Sequence, residues 1–181
     1  MIPIYLTSDT HFNHMKLHEV FDDRPADFQE LILKSHAALP AESMLIHLGD
    51  FCIGKDEEMH QKWNEATGHI QHRILVRGNH DNKPDSWYLC HGWDFVCSLT
   101  IMRLYGKRVL FSHIPRDHTH YPTTQLNIHG HTHGNTHRDT EIQDFYDKGG
   151  YHFEIAQENQ NYTPLLLTDK VLFDKGVEIL L

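Results

Sequence analysis

Short apolar runs alternate with segments of helical spacing through the first half of the chain. The runs IPIYL, MLIHL and RILV are typical of buried strands. Between them, residues 25–39 place apolar side chains at helical spacing. Residues 55–68 begin with acidic side chains and end at a glycine, which predicts an exposed helix. This order is that of βαβ units, and it predicts a parallel sheet.

The second half of the chain is predicted to add further strands. Residues 97–113 contain two apolar runs around Gly106 and Lys107, which indicates a hairpin, and residues 124–133 form a strand that enters a histidine-rich loop. Residues 151–157 and the apolar C-terminal segment complete this half, although the last 15 residues fit a helix or a strand equally well. No linker divides the chain, so we expect a single domain over residues 1–181.

Each of these strands is followed by a polar cluster. The clusters are Asp9-Thr10-His11, Gly49-Asp50, Gly78-Asn79-His80-Asp81, Ser112-His113 and Gly130-His131-Thr132-His133. In an open α/β sheet, ligand sites form outside the carboxyl ends of the strands. The pattern therefore predicts that clusters distant in sequence meet at one edge of the sheet.

The side chains of these clusters have the chemistry of metal ligands. The candidates are Asp9, His11, Asp50, Asn79, His113, His131 and His133. Carboxylate, imidazole and amide groups suit Mn²⁺, Fe or Zn²⁺ better than Ca²⁺. They are more than one ion needs, but they suit two ions that share a bridging carboxylate. Side chains two apart in an extended chain point the same way, so the H-x-H loop is expected to serve both ions.

Taken singly, these residues also have ordinary structural explanations. Asp9 and His11 could form a polar turn, Asp50 could cap a helix, and His113 could be a buried histidine. Their joint occurrence after successive strands favours a shared site instead. Three other nearby histidines are not predicted to be ligands: His120, His129 and His137.

Composition and charge narrow the classes of function. The chain is 39% hydrophobic and 23% charged, as in globular proteins. A formal net charge of −9 argues against extended duplex binding, although bound metal ions would create a local positive site. No apolar run approaches the roughly 20 residues that span a bilayer. The N-terminus lacks a secretory pattern, and the three cysteines form no C-x-x-C, so we expect a cytoplasmic protein without disulfides or membrane contact.

The motifs D-x-H, G-D, G-N-H-D, H and G-H-x-H, in this order, resemble those of the calcineurin-like metallophosphoesterase superfamily. The resemblance extends over residues 2–168, and the opening TSDTHFNH is more similar to small bacterial or phage phosphoesterases than to protein phosphatases. It implies a four-layer α/β/β/α sandwich with a dinuclear metal site at the carboxyl ends of the strands. It also implies a metal-dependent phosphohydrolase.

The resemblance further implies how the ligands divide between two divalent ions, expected to be Mn²⁺ with Fe, Zn²⁺ or Ni²⁺ as alternatives. The ligands of the first ion would be Asp9, His11, Asp50 and His133. Asp50 would bridge to the second ion, whose other ligands would be Asn79, His113 and His131. A hydroxide that bridges the metals would be the nucleophile.

The same resemblance implies that His80 is the general acid that protonates the leaving oxygen and that Asp81 orients it. Histidine is the usual proton donor near neutral pH, so the residue type agrees with the role. Candidate substrate contacts are His14, Arg77 and Arg116, although both arginines could equally form salt bridges. The segment 147–156 either closes the site or leads into an edge strand.

The second motif departs from the superfamily's protein phosphatases, which usually carry G-D-x-x-D-R-G. Here the sequence is GDFCIGKDEE, without the phosphate-binding arginine. This favours a phosphodiester substrate, such as a cyclic nucleotide or a nucleic-acid end, over a monoester. The alternatives are a phosphomonoesterase, a nuclease that acts on long polymers, and a non-enzymatic protein-binding scaffold. The scaffold is disfavoured because all the ligand positions and the acid histidine are present.

Overall fold

The computed structural model describes residues 2–17, 24–135, 142 and 151–174. The elements in these ranges, in chain order, are β1 (Ile4–Thr7), α1 (Phe28–Ala37), β2 (Met44–His47), α2 (Asp56–Thr67), β3 (His72–Val76), α3 (Asp85–Cys90), β4 (Phe95–Cys97), β5 (Leu99–Leu104), β6 (Lys107–Ser112), a 3₁₀ helix (His118–His120), β7 (Leu126–His129), β8 (His152–Glu154), a second 3₁₀ helix (Gln157–Gln160), β9 (Leu165–Leu167) and α4 (Asp169–Asp174).

The first sheet has the strand order β4-β3-β2-β1-β9. Strands β1 to β4 are parallel, and β9 pairs with β1 in the antiparallel direction. In the register, Leu6 lies beside Ile46, which in turn lies beside Ile74. These three apolar side chains form a row on one face of the sheet. The parallel pairing of β1 to β4 confirms the sheet that the first half of the sequence predicts.

The second sheet has the order β5-β6-β7-β8. Strands β5 and β6 form the predicted hairpin, in which Leu104 pairs with Lys107. Its two turn residues, Tyr105 and Gly106, both have a positive φ, as tight hairpins require. Strands β7 and β8 continue the sheet in parallel, with β8 at the edge. Residues 151–156 therefore lead through an edge strand, whereas residues 147–150 lie outside the described residues.

The two sheets pack face to face around one core and carry helices on the other side of the first sheet. Leu6 and Ile46 of the first sheet share a buried cluster with Phe111 and Ile128 of the second. On the opposite face, Leu45 belongs to a cluster that includes residues of α1, α2 and α3. This arrangement confirms the predicted α/β fold with two packed sheets. The connection from β7 to β8, where an outer helical layer is expected, lies largely outside the described residues.

Helix α2 is less exposed than its acidic sequence suggests. Met59 and Trp63 are buried, and Trp63 stacks on Trp93 with ring centroids 4.4 Å apart. The Trp63 indole N–H donates a hydrogen bond of 3.1 Å to Nδ1 of His36 in α1. The helix therefore presents an acidic face to solvent and a packed face to the sheet.

The C-terminal segment, which could be helix or strand from its sequence, forms α4 as far as Asp174, and residues 175–181 lie outside the described residues. Leu172 of α4 is buried in the core between the sheets. Among the described helices, none combines the length and apolar character needed to cross a membrane.

Candidate metal centre

The loops that follow β1 and β2 run side by side at the carboxyl edge of the first sheet. The backbone N–H of Asp9 donates to the carbonyl of Gly49 at 3.0 Å, and that of His11 donates to the carbonyl of Asp50 at the same distance. These bonds bring two of the predicted clusters together. They confirm the prediction for the clusters that follow strands of the first sheet. The expectation of a single sheet is wrong, because His113 and His131 follow β6 and β7 of the second sheet and reach the first through contacts with Leu48 and Asp9.

Many of the predicted ligands have left-handed backbone conformations. The φ angles are 53° at Asp9, 44° at His11, 57° at Asp50, 73° at His131 and 47° at His133. Such a conformation costs roughly 1–2 kcal/mol for a residue with a Cβ, and it persists only where the surroundings hold it. The concentration of strain at this edge indicates that ligand placement takes precedence over local backbone stability.

The left-handed angles also correct the predicted geometry of the H-x-H loop. His131 and His133 were expected to point the same way because the chain would be extended, and that reason is wrong. Both residues turn through positive φ instead. Their rings enter two different groups of candidate ligands, one in each. The loop therefore contributes one histidine to each group through left-handed backbone rather than through an extended chain.

Two glycines allow the loops to approach the ligands closely. A Cβ at Gly130 would collide with the side chains of Ser8 and Asp9, and one at Gly78 would collide with the Asp50 carboxylate. The motifs G-H-x-H and G-N-H-D therefore need glycine at these positions because there is no room for a side chain.

The first group of candidate ligands consists of Asp9, His11 and His133. Nε2 of His11 lies 3.3 Å from Nε2 of His133. Oδ1 of Asp9 lies 3.7 Å from Nε2 of His11 and 3.5 Å from Nε2 of His133. Ligands bound at 2.0–2.2 Å from one ion are separated by about 3–3.6 Å, so these atoms have nearly the spacing that a single transition-metal ion imposes.

The second group consists of Asp50, His113 and His131. Nε2 of His113 lies 3.3 Å from Oδ2 of Asp50 and 3.2 Å from Nδ1 of His131. Oδ1 of Asn79 is 3.1 Å from the same nitrogen. Asn79 thus lies beside the second group, to which the family resemblance assigns it.

One oxygen of Asp50 borders both groups. Oδ2 lies 3.3 Å from Nε2 of His113 in the second group and 3.7 Å from Nε2 of His11 in the first. The other oxygen, Oδ1, accepts a hydrogen bond from the backbone N–H of His80 at 2.9 Å, which fixes the carboxylate. This position is compatible with a carboxylate shared between two ions.

The hydrogen bonds of His113 and His133 show that the two groups fit metal ions. Nδ1 of His113 meets the carbonyl of Leu48 at 2.7 Å, and Nδ1 of His133 meets a carboxylate oxygen of Glu158 at 3.0 Å. Because these oxygens only accept, both Nδ1 atoms carry the proton. In its neutral form, each imidazole would direct the lone pair of Nε2 towards other lone pairs, including those of Asp9 or Asp50. A cation at each group would relieve this repulsion.

The electrostatic interaction between Asp50 and His113 also favours a positive charge in the second group. Burial lowers the pKa of His113, but the hydrogen bond to Asp50 and the charges of Asp9 and Asp50 raise it to about 9. Burial raises the pKa of Asp50, but the contacts with His113 lower it well below its usual range. The carboxylates that favour a positive charge on His113 would also favour a metal ion in this group.

His80 lies at the solvent side of these groups. Its Nε2 is 3.9 Å from Oδ2 of Asp50, its side chain is 45% exposed, and its ring lies 5.6 Å from that of His11. The imidazole can therefore reach a molecule bound above the ligands and still exchange protons with water.

Asp81 has different contacts from those predicted. It is buried and accepts hydrogen bonds from the backbone N–H groups of Asp50, Phe51 and Gly78 at 2.7–3.0 Å. Its oxygens hold the loops after β2 and β3 together. We therefore correct the expected direct orientation of the His80 ring: the hydrogen bonds of Asp81 go to backbone, and they fix the loop that carries His80.

The three candidate substrate contacts have different surroundings. The ring of His14 lies 6.0 Å from that of His11, beside the first group. Nε of Arg77 is 3.0 Å from a carboxylate oxygen of Asp85, which is the salt-bridge alternative considered for this residue. The backbone N–H of Arg116 donates to Oδ1 of Asn127 at 2.8 Å.

Sequence reasoning missed the residues that surround the histidine-rich loop. Glu154 accepts hydrogen bonds from the hydroxyl of Thr132 at 2.5 Å and from the N–H of Gly134 at 3.0 Å. Glu158 contacts His133, and the buried Arg24 contacts Glu158. No motif marks these residues, because their partners are 20 to 134 positions away in the chain.

The class of protein follows from two features: two packed sheets, and two groups of candidate metal ligands beyond the ends of their strands. The calcineurin-like phosphoesterase superfamily domain matches residues 2–166, and the chain belongs to that superfamily. This membership supports a metal-dependent phosphoester hydrolase.

One solved structure supports the same fold over nearly the whole chain. A protein of unknown function from Aquifex aeolicus, AQ665, is 27% identical, with a TM-score of 0.74, over 97% of this chain and 99% of its own. The nuclease MPE of Pseudomonas putida is 19% identical, with a TM-score of 0.49, over 72% of this chain and 61% of its own. No functionally curated protein matches the sequence significantly.

Proposed function

We propose that the protein is a phosphodiesterase that uses two divalent ions. The observation that carries this proposal is the position of Asp50, whose Oδ2 borders both groups of candidate ligands. Asp9, His11 and His133 would hold one ion, and Asn79, His113 and His131 the other, with Asp50 shared. Mn²⁺ is the proposed metal, with Fe, Zn²⁺ and Ni²⁺ as alternatives, because the ligands mix imidazole with carboxylate and amide oxygen.

The charge balance of the centre suits an anionic substrate. Two divalent ions bring four positive charges, and Asp9 and Asp50 remove two of them. Bound ions of this kind lower the pKa of water, supply a nucleophile at neutral pH and stabilise charge on phosphoryl oxygens. The role of the protein is to hold the ligands at the correct spacing. The hydrogen bonds that Asp81 accepts from three backbone amides serve that purpose.

His80 is the proposed general acid. Its half-exposed ring beside Asp50 can donate a proton to the leaving oxygen of a substrate and recover it from water. The leaving alkoxide would otherwise depart as a strong base. Its protonation therefore matters most for substrates whose leaving groups are poor.

A diester is the proposed substrate because two cationic side chains near the site motifs, those of Arg77 and Arg24, are engaged elsewhere. Arg77 pairs with Asp85 at 3.0 Å and donates to the carbonyl of Lys83 at 3.1 Å. Arg24 is buried and pairs with Glu158 at 2.6 Å. A monoester carries nearly two negative charges at neutral pH and needs an additional cationic contact, whereas a diester carries one. A nucleotide diester or a nucleic-acid end would meet these requirements.

The test is a comparison of kcat/KM for bis-p-nitrophenyl phosphate and p-nitrophenyl phosphate at fixed Mn²⁺ and pH. We expect faster hydrolysis of the diester. Arg77→Met and Arg116→Met serve as a matched pair of variants, and neither should lower the diester rate specifically. A clear preference for the monoester would overturn the proposal of a diester substrate, and loss of that preference in either variant would identify the phosphate contact.

A further inference from the structure

The buried carboxylate of Glu158 contacts His133 at Nδ1, the ring nitrogen that does not face the other ligands. Oε2 of Glu158 accepts a hydrogen bond from Nδ1 of His133 at 3.0 Å, and the two side chains are only 11% and 5% exposed. Because Nδ1 donates this bond, Nε2 keeps its lone pair and faces the first ligand group. Glu158 therefore selects the imidazole tautomer that can bind a metal ion.

Arg24 holds Glu158 in place. Its Nε and Nη2 lie 2.8 Å and 2.6 Å from Oε1 of Glu158. The same guanidinium donates to the carbonyls of Asp9 at 3.0 Å and Thr10 at 3.3 Å. These contacts connect the back of His133 to the backbone of Asp9, so two ligands of the first group share one buried support.

The other ligand histidines have different support. Nδ1 of His113 donates to the neutral carbonyl of Leu48. Nδ1 of His11 is buried and has no hydrogen-bond partner within the described ranges. A carboxylate behind an imidazole fixes its orientation and increases its basicity more than a neutral carbonyl does. Removal of the Glu158 charge should therefore affect the two ion positions unequally.

We propose that Glu158, held by Arg24, is a positioning residue that strengthens His133 as a ligand of the first ion. The inference rests on the dinuclear centre of the proposed function and assigns a role to residues outside its motifs. The competing explanation is a salt bridge that only attaches the 3₁₀ helix Gln157–Gln160 to the end of β1. Such a salt bridge would change the stability of the fold but would not distinguish one ion from the other.

The test measures the stoichiometry and affinity of Mn²⁺ binding to the full chain, by electron paramagnetic resonance of the free ion. Glu158→Gln keeps the shape of the side chain and removes its charge. It should weaken one ion by about 10–100-fold and leave the other unchanged, as outer contacts of metal ligands typically do. The control Glu57→Gln disrupts another carboxylate–histidine pair, with His91 at 3.6 Å, and should leave both ions unchanged.

A second substitution identifies which ion is affected. Asn79→Ala removes a ligand of the second group, so it should weaken the other ion. The double variant should then bind neither ion tightly, whereas each single variant retains one tight ion. If Glu158→Gln weakens both ions equally, or neither, or if the double variant retains a tight ion, the proposal is wrong.

Arg24→Lys covers the case in which Glu158→Gln does not fold. It keeps the positive charge and loses the forked contact, so it should weaken the same ion by a smaller factor. An unchanged affinity in this variant would contradict the role of Arg24. If the wild-type protein binds two Mn²⁺ ions but hydrolyses neither ester, the proposed function fails while the inference about Glu158 stands. If the wild-type protein binds no Mn²⁺, both fail.

Discussion

Two groups of buried histidines occupy different regions of this protein. At the loop edge, His113 faces Asp50, and the nearby carboxylates raise its pKa to about 9 despite its burial. In the helical layer, burial lowers the pKa of His36 to about 3 and that of His60 to about 4. His60 packs against aromatic rings, with its centroid 4.4 Å from that of Phe51.

The comparison teaches that burial alone does not set the charge of an imidazole: the carboxylates around His113 raise its pKa, whereas burial lowers the pKa of His11 at the same edge, as it does for His36 and His60. Carboxylates favour a positive charge in the space beside the imidazole, which a proton or a metal ion can supply. Aromatic and aliphatic neighbours exclude that charge and keep the imidazole neutral. Among the 18 histidines of the chain, some lie beside carboxylates and others pack among aromatic side chains. These two kinds of histidine should respond differently to substitution and to pH.

The largest effect is expected when the carboxylate shared by the loop-edge groups is removed. Asp50→Ala should abolish binding of the ion pair and reduce hydrolysis of phosphoesters below detection, because the same oxygen borders both groups. Metal analysis after Mn²⁺ saturation and a rate assay provide the measurement. Two ions per chain, or full activity, in this variant would rule out the shared-carboxylate geometry.

Replacement of the half-exposed histidine beside this centre should reduce activity without loss of metal. His80→Ala is expected to keep both ions and to lose on the order of 10²–10⁴ in kcat. The loss should shrink for substrates with good leaving groups, which need little protonation. An equal loss across a series of leaving groups would instead assign His80 to phosphate positioning.

Removal of Asn79, the uncharged candidate ligand of the second group, should lower the affinity for one ion and not for the other. Asn79→Ala is expected to weaken one ion by about 100-fold, since even outer contacts of ligands contribute 10–100-fold. The other ion should be unaffected, because Asn79 contacts His113 and belongs to the second group. Titration with Mn²⁺ would show one tight ion in place of two. Simultaneous loss of both ions would mean that the groups are not independent.

The smallest effect concerns the helical layer and depends on pH. The pKa of His60 is about 4 in the folded protein and about 6.5 in the unfolded chain, so between these values the unfolded chain binds a proton that the folded protein does not. Stability is therefore lost as the pH falls through this window. His60→Phe should remove this loss, with a relative gain of about 1.4 kcal/mol for each pH unit.

Urea unfolding of the metal-free protein and of His60→Phe at pH 7, 6 and 5 gives the measurement. The difference at pH 7 serves as the internal control, because it contains the lost hydrogen bond to the carbonyl of Asp56 and any change in packing. A difference that is constant with pH would mean that the pKa of His60 is the same in the folded and unfolded states.

The comparison of histidines also shows how far sequence reasoning extends. Asp9, Asp50 and Asn79 were predicted to meet because each follows a strand in a βαβ pattern, and that inference needs only local hydrophobicity and the general geometry of parallel sheets. His129, which was not predicted to be a ligand, is buried and belongs to neither candidate group. The cytoplasmic location and the absence of extended duplex binding stay predictions.

What the sequence determined by itself is the alternation of strands and helices and the identity of the polar residues at each strand end. These features depend on neighbours along the chain. Only the tertiary structure decided that His131 and His133 turn through left-handed angles into different groups, and that Glu158 and Arg24 support one of them. The physical reason is that backbone strain and buried ion pairs depend on groups that are brought together from distant parts of the chain.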